Sequence, residues 1–171
     1  MKWDKGLDYE KTYKKLVKLL NEYKSKNGIR NLTRLCYIIV LLTQLRNGSR
    51  ISESFEFIRN IANNFKRQDI VRVRKHKTIE YRLMILPREV RKNDILKIAG
   101  IINKTNINNV KVWCRENLGF NTHALRYAFV SYLAKRGISP QLIAKITKHK
   151  NLNYIVTYTQ EKLAEEILQQ L

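Results

Sequence analysis

Apolar residues recur every three or four positions over most of this chain, which is the spacing of one face of an α-helix. Residues 8–24 show the pattern first, with Asp8 as a candidate N-cap and the lysines lying mostly off the apolar side. The apolar stripe comprises Tyr9, Tyr13, Leu16, Val17 and Leu20. The segment therefore predicts an amphipathic helix.

Residues 31–46 differ from this pattern, because they are apolar nearly all round between Leu35 and Leu42. Such a segment is typical of a central, buried helix, and Asn47-Gly48 is a stop signal for it. Shorter helical patterns predict further helices over about residues 52–63, 88–101, 108–117, 122–136, 140–148 and 154–171.

The period of the pattern falls to two in residues 70–73 and 81–85, where apolar and polar side chains alternate. Two such runs predict a β-hairpin. Its turn holds Lys75, His76, Lys77 and Thr78, and Pro87 closes it. The expected fold class is mainly α with a small antiparallel β-sheet (α+β). Because no linker or internal repeat interrupts the chain, we expect a single domain over residues 1–171.

The charge balance narrows the choice of partner. The chain has 34 Lys+Arg against 14 Asp+Glu, a formal net charge of +20. This excess repels itself in a compact protein, so a polyanion such as nucleic acid is the favoured partner. The alternative is a basic surface that only keeps the protein in solution.

Several other classes of protein are not supported by the sequence. Cys36 and Cys114 are the only cysteines and are far apart, as in a reduced intracellular protein. No Cys/His cluster has zinc spacing and no Gly-rich phosphate loop occurs. The start of the chain lacks a signal-peptide core, and the longest apolar run is too short for a bilayer. We therefore expect no cofactor, no metal and no membrane partner.

Six residues occur in the order that a metal-free phosphoryl-transfer site on DNA requires. Such a site needs a nucleophile, cations on the phosphate oxygens and an acid for the leaving oxygen. Two arginines can clamp the phosphate, two histidines can donate or accept protons, a hairpin lysine can protonate the leaving oxygen, and a tyrosine can attack. The candidate catalytic residues are Arg50, Lys77, His123, Arg126, His149 and Tyr158.

Several of these candidates also have a structural alternative or a competing residue. Arg50 could be a surface residue or a partner of Glu53. His123 could be a capping or core histidine, and Arg126 a surface charge. Lys75 competes with Lys77 in the hairpin turn, and Tyr154 competes with Tyr158, because the two tyrosines lie about one helical turn apart.

The order Arg, Lys, His-x-x-Arg, His, Tyr resembles that of the tyrosine recombinases, the phage-integrase and Xer-type family. Residues 48–53, Gly-Ser-Arg-Ile-Ser-Glu, resemble its Gly-Leu-Arg-[Ile/Val]-Ser-Glu box. Residues 123–127, His-Ala-Leu-Arg-Tyr, resemble its His-x-Leu-Arg-His box, and residues 146–149 its Leu-Gly-His segment. Tyr158 stands nine residues after His149, the spacing usual in the family. The departures are Ser49, Tyr127 and Lys148, none of which removes a catalytic group.

The resemblance implies a role for every candidate. Arg50, Arg126 and His149 would stabilise the pentavalent phosphate, while His123 would help take the proton of Tyr158. Lys77 would act as general acid. The product would be a 3′-phosphotyrosyl link and a free 5′-hydroxyl, formed without nucleotide or metal.

The family also suggests partners. The partner would be double-stranded DNA, on which the chain would form a homo-oligomer, a tetramer, through its C-terminal helix. An apolar stripe fits that role: Leu163, Ala164, Ile167, Leu168 and Leu171. The alternative is docking of this stripe on its own domain. We expect no counterpart of the family's N-terminal DNA-clamp domain, because residues 1–30 are too few to supply it.

The same resemblance leaves two other functions open. One is a decayed or regulatory relative that binds DNA without cutting it, and the other is a type IB topoisomerase-like relaxing activity. In each case we expect an intracellular protein, either cytoplasmic and nucleoid-associated or encoded by a virus or mobile element.

Overall fold

A computed structural model describes residues 6–73 and 77–171, except for the side chains of Tyr158, Thr159 and Lys162. The described residues form a mostly helical α+β structure with a two-stranded antiparallel sheet, which confirms the expected fold class. In chain order the elements are α1 (Tyr9–Lys24), α2 (Ile29–Asn47), α3 (Ile51–Asn63), β1 (Gln68–Arg72), β2 (Tyr81–Ile85), α4 (Lys92–Ile102), α5 (Ile107–Leu118), α6 (Thr122–Lys135), α7 (Pro140–Thr147) and α8 (Leu152–Gln170).

The core is built around α2, which packs against α1, α3, α4 and α6. Every residue of α2 from Leu35 to Leu45 is buried, as the all-round apolar pattern predicts. A smaller cluster joins α6, α7 and α8 through Val130, Ile143 and Ile155. The helices that carry the candidate residues are therefore held by buried apolar contacts on both sides of α6.

Local side-chain chemistry sets the helix starts. Asp8 caps α1, with its carboxylate accepting from the Lys11 N–H at 2.8 Å. The expected start of the fourth helix at residue 88 is wrong. The Asp94 carboxylate accepts from the Arg91 N–H at 2.7 Å, so the chain turns at Pro87–Val90 and α4 begins at Lys92.

The hairpin is confirmed, with β1 starting two residues before the predicted strand. Its register pairs Gln68 with Ile85 and Arg72 with Tyr81. One face, with Arg82 and Met84, is buried, while Tyr81 and Leu83 are exposed on the other. Lys75 and His76, which were expected in the turn, lie outside the described residues.

The last helix begins at Leu152, two residues earlier than expected, because Asn151 caps it by accepting from the Asn153 N–H at 3.0 Å. Its C-terminal apolar residues Ile167, Leu168 and Leu171 are largely exposed rather than packed on the described core. No described helix is both long and apolar enough to cross a membrane.

Candidate functional site

The turn between α2 and α3 presents Arg50. Gly48 ends α2 in the left-handed conformation, at φ 58°, with the ring of Phe129 directly beside it. Arg50 then becomes the N-cap of α3, and its own N–H donates to Glu53 Oε1 at 3.2 Å. Its guanidinium Nη1 contacts Glu53 Oε2, also at 3.2 Å, and the side chain is 17% exposed. The pairing with Glu53, considered from the sequence as an alternative, is therefore present.

Arg126 of α6 is not a surface charge, because only 3% of it is exposed. Its Nη1 donates to the Gly48 carbonyl at 2.9 Å, which fixes it against the turn that carries Arg50. Its Nη2 lies 3.2 Å from His149 Nδ1. Burial, followed by repulsion from Arg50 and Arg82, lowers the pKa of Arg126 below its ordinary value.

His149 follows the end of α7 and is held through Nδ1. Thr147 Oγ1 lies 2.6 Å from this nitrogen, on the side of the ring that Arg126 also contacts. Burial and the cations Arg126, Arg50 and Arg82 lower the pKa of His149 to about 3, so the ring is neutral at neutral pH. A guanidinium can only donate, so its contact with Nδ1 favours the tautomer that carries the proton on Nε2. That N–H can donate to an anionic oxygen.

Lys148, the residue before His149, has a backbone conformation that glycine usually supplies. Lys148 ends α7 in the left-handed region, at φ 58°, the one described non-glycine residue with positive φ. Its Nζ contacts Glu80 Oε1 at 3.0 Å, and Glu80 directly precedes β2. The His149 loop is thereby tied to the strand that follows the hairpin turn.

Arg82 belongs to this cluster, although sequence reasoning missed it. Its Nη1 lies 3.4 Å from Glu53 Oε1, and its Nη2 donates to the Asn47 carbonyl at 2.6 Å. Alternation along β2 was the available signal, since period two places Arg82 on the same face as the buried Met84. An arginine in that register must find partners inside the protein, and Glu53 supplies one.

The other three candidates are His123, Lys77 and Tyr158. His123 is exposed in the first turn of α6, three residues before Arg126, and its ring stacks on Tyr127 with 6.5 Å between centroids. Lys77 is exposed in the segment between the strands. Its rival Lys75 lies outside the described residues. The backbone of Tyr158 lies in α8, but its side chain is not described, whereas Tyr154 is exposed.

The described site thus brings together Arg50, Arg126 and His149, with Arg82 and Glu53 beneath them. The guanidinium groups of Arg50 and Arg82 contact the buried carboxylate of Glu53. Arg126 adds a third buried cation, so the cluster keeps an excess of positive charge in a poorly solvated place. An anion bound there would relieve the mutual repulsion, and forked N–H donors match phosphate oxygens. Within the described residues, no group of three His, Cys, Asp or Glu side chains could hold a metal ion.

Comparison with known proteins gives three informative relatives. An uncharacterized protein of Methanocaldococcus jannaschii is 39% identical, over 99% of this chain and 88% of its own length. A putative integrase of Acidianus two-tailed virus is 37% identical, over 99% and 68%. A putative integrase of the Sputnik virophage is 30% identical, over 96% and 88%. No protein-family model matches the chain.

Proposed function

The chain belongs to the integrase-like family of these two viral proteins, and from that premise we propose that it is the catalytic domain of a tyrosine-type DNA recombinase or integrase. It binds double-stranded DNA and cuts and rejoins a strand through a 3′-phosphotyrosyl intermediate, without a metal ion. The main core around α2 and the smaller cluster of α6, α7 and α8 both include residues of α6, which supports treating the described residues as one catalytic unit.

The observation that carries the proposal is the convergence of Arg50, Arg126 and neutral His149 from three separate segments. In the reaction, two guanidinium groups neutralise the non-bridging oxygens of the scissile phosphate. The Nε2–H of His149 donates to the same oxygens. Their effect grows as negative charge builds up on the pentavalent phosphate, which is the condition for lowering the barrier.

The covalent step requires the remaining three residues. The phenol oxygen of Tyr158 attacks phosphorus, an O–P bond to tyrosine forms, and the bond to the 5′ oxygen breaks. His123 takes the phenol proton and Lys77 delivers a proton to the leaving 5′ oxygen, so charge and protons balance. Attack by a 5′-hydroxyl reverses the step and joins a new strand end.

The test is covalent trapping on a nicked duplex, from which the short fragment that carries the new 5′-hydroxyl diffuses away after cleavage. We expect a protein–DNA adduct that resists denaturation, forms equally in excess chelator, and disappears in Tyr158→Phe. Tyr154→Phe is the matched control and keeps the adduct. DNA binding with no adduct from the unaltered protein would instead identify a binding relative, and an adduct from Tyr158→Phe would overturn the assignment of the nucleophile.

A further inference from the structure

Glu53 is a fully buried carboxylate within the cationic cluster. Its Oε2 contacts Arg50 Nη1 at 3.2 Å, and its Oε1 receives both the Arg50 N–H at 3.2 Å and Arg82 Nη1 at 3.4 Å. None of its side chain is exposed, and only 2% of the Arg82 side chain is exposed. Arg82 is therefore a buried cation whose described ion pair is with the residue that also holds Arg50.

A lone carboxylate in this position would oppose phosphate binding in two ways. Its negative charge would repel the phosphate in a region where water screens charges poorly. Arginine also prefers to bind a carboxylate with both arms of its fork, so an unshared Glu53 would draw more of the Arg50 guanidinium to itself. A second cation on Oε1 removes both effects.

The backbone around Arg82 is anchored to the turn that presents Arg50. Arg82 Nη2 donates to the Asn47 carbonyl at 2.6 Å. The Asn47 side chain in turn accepts from the Ile85 N–H at 2.9 Å and donates to the Ile85 carbonyl at 2.8 Å. Strand β2 and the end of α2 are thus joined at three points, directly before Gly48 and Arg50. This rigidity gives Arg82 a fixed position relative to Glu53.

We infer that Arg82 is a positioning residue for strand cleavage: it contacts Oε1 of Glu53, so that the Arg50 guanidinium binds this carboxylate through one nitrogen only and turns the rest of its fork to the scissile phosphate. This inference rests on the proposed function. Arg82 itself touches no reacting atom. It acts through Glu53, which in turn holds Arg50.

The experiment measures single-turnover cleavage at saturating protein, and separately the Kd for the same duplex. The variants are Arg82→Met, Arg82→Lys, Glu53→Gln and the two double variants. Methionine keeps most of the volume and removes the charge, while lysine keeps the charge and loses the fork. We expect Arg82→Met to slow cleavage about 10- to 100-fold, with Kd changed less than about threefold, because the lost interaction acts in the transition state. Arg82→Lys should recover part of that loss.

The double-variant comparison separates positioning from general support of the fold. In the Glu53→Gln background there is no carboxylate for Arg82 to neutralise, so Arg82→Met should slow cleavage by less than about threefold. Equal losses in both backgrounds, or a wild-type rate in Arg82→Met, would overturn the inference. If Arg82→Met does not melt cooperatively, the same comparison is made with Arg82→Lys, alone and in the Glu53→Gln background. Equal losses of cleavage rate in the two backgrounds would again overturn the inference.

Adduct formation and the double-variant comparison test the proposed function and the role of Arg82 separately. If the unaltered protein forms no adduct, the proposed function fails and the role of Arg82 falls with it. If the unaltered protein cleaves and the losses are additive, the proposed function stands and only the role of Arg82 is overturned.

Discussion

At the scale of single residues, the protonation of His149 determines what the site can offer a phosphate. The ring is partly buried and faces three cations, and both circumstances oppose a positive charge on it. Because the Arg126 guanidinium can only donate, its contact with Nδ1 favours the neutral tautomer that carries its one N–H on Nε2. In the proposed reaction His149 would therefore act as a neutral hydrogen-bond donor rather than as a general base.

The low pKa of His149 affects how the free energy of unfolding depends on pH. The folded pKa of about 3 lies below the ordinary 6.5, so the unfolded chain binds a proton first as pH falls. We expect the free energy of unfolding to be unaffected by this group above pH 6.5 and to decline between 6.5 and 3. Denaturant titrations at pH 7 and pH 5 should show a smaller decline for His149→Asn than for the unaltered protein.

Nuclear magnetic resonance of the imidazole nitrogens provides the direct check. The His149 ring should keep the Nε2–H signature down to about pH 4. A titration midpoint near 6.5 would contradict the account, because it would mean that the neighbouring arginines are not held against the ring.

At the scale of elements, the turn at the end of α2 positions two residues of the candidate site. Gly48 has positive φ, and a Cβ there would overlap the ring of Phe129. Its carbonyl also accepts the Arg126 hydrogen bond. The turn therefore needs glycine for both conformation and space, and any shift in it would move Arg50 and Arg126 together.

We expect Gly48→Ala to lower the free energy of unfolding by about 2–5 kcal/mol, the combined effect of a left-handed residue and an overpacked core. Gly119→Ala is the matched control, since Gly119 also has positive φ, at 81°, but open space around its Cβ position. It should lose only about 1–2 kcal/mol. Equal losses for the two variants, measured by chemical denaturation, would show that Phe129 does not confine the turn.

Element prediction from the sequence succeeded where the pattern was strong and local. The Asp8 cap, the buried α2 and the alternating hairpin are each set by neighbours a few residues apart. It failed at the start of α4, because the Arg91–Asp94 capping box outweighed the apolar residues before it. It also missed Arg82, whose partner Glu53 is 29 residues away and joins it only through the fold.

The candidate site was predicted only in part for the same reason. The spacing of Arg50, Arg126 and His149 indicated a shared function, but their mutual contacts depend on how α2, α6 and α7 pack. The roles of Lys77, His123 and Tyr158 stay predictions, because they follow from the motifs of the sequence.

At the scale of the whole molecule, the net charge of +20 sets the mode of DNA association. Each phosphate neutralised releases counterions, so the logarithm of the binding constant falls by about 0.9 per contact for each tenfold rise in salt. For a duplex of random sequence, we expect a plot of the logarithm of the binding constant against the logarithm of salt concentration to have a slope steeper than about −4. The binding constants are measured by fluorescence anisotropy. A slope near zero would contradict binding through the basic surface.

The convergence of distant segments on one phosphate is tested most directly by locating the covalent attachment. The adduct trapped on the nicked duplex is digested with nuclease and trypsin, and the modified peptide is fragmented in a mass spectrometer. Cleavage after Lys150 and Lys162 gives one peptide that holds both Tyr154 and Tyr158. The account predicts the nucleotide mass on Tyr158; the same mass on Tyr154, or on any residue outside this peptide, would contradict it.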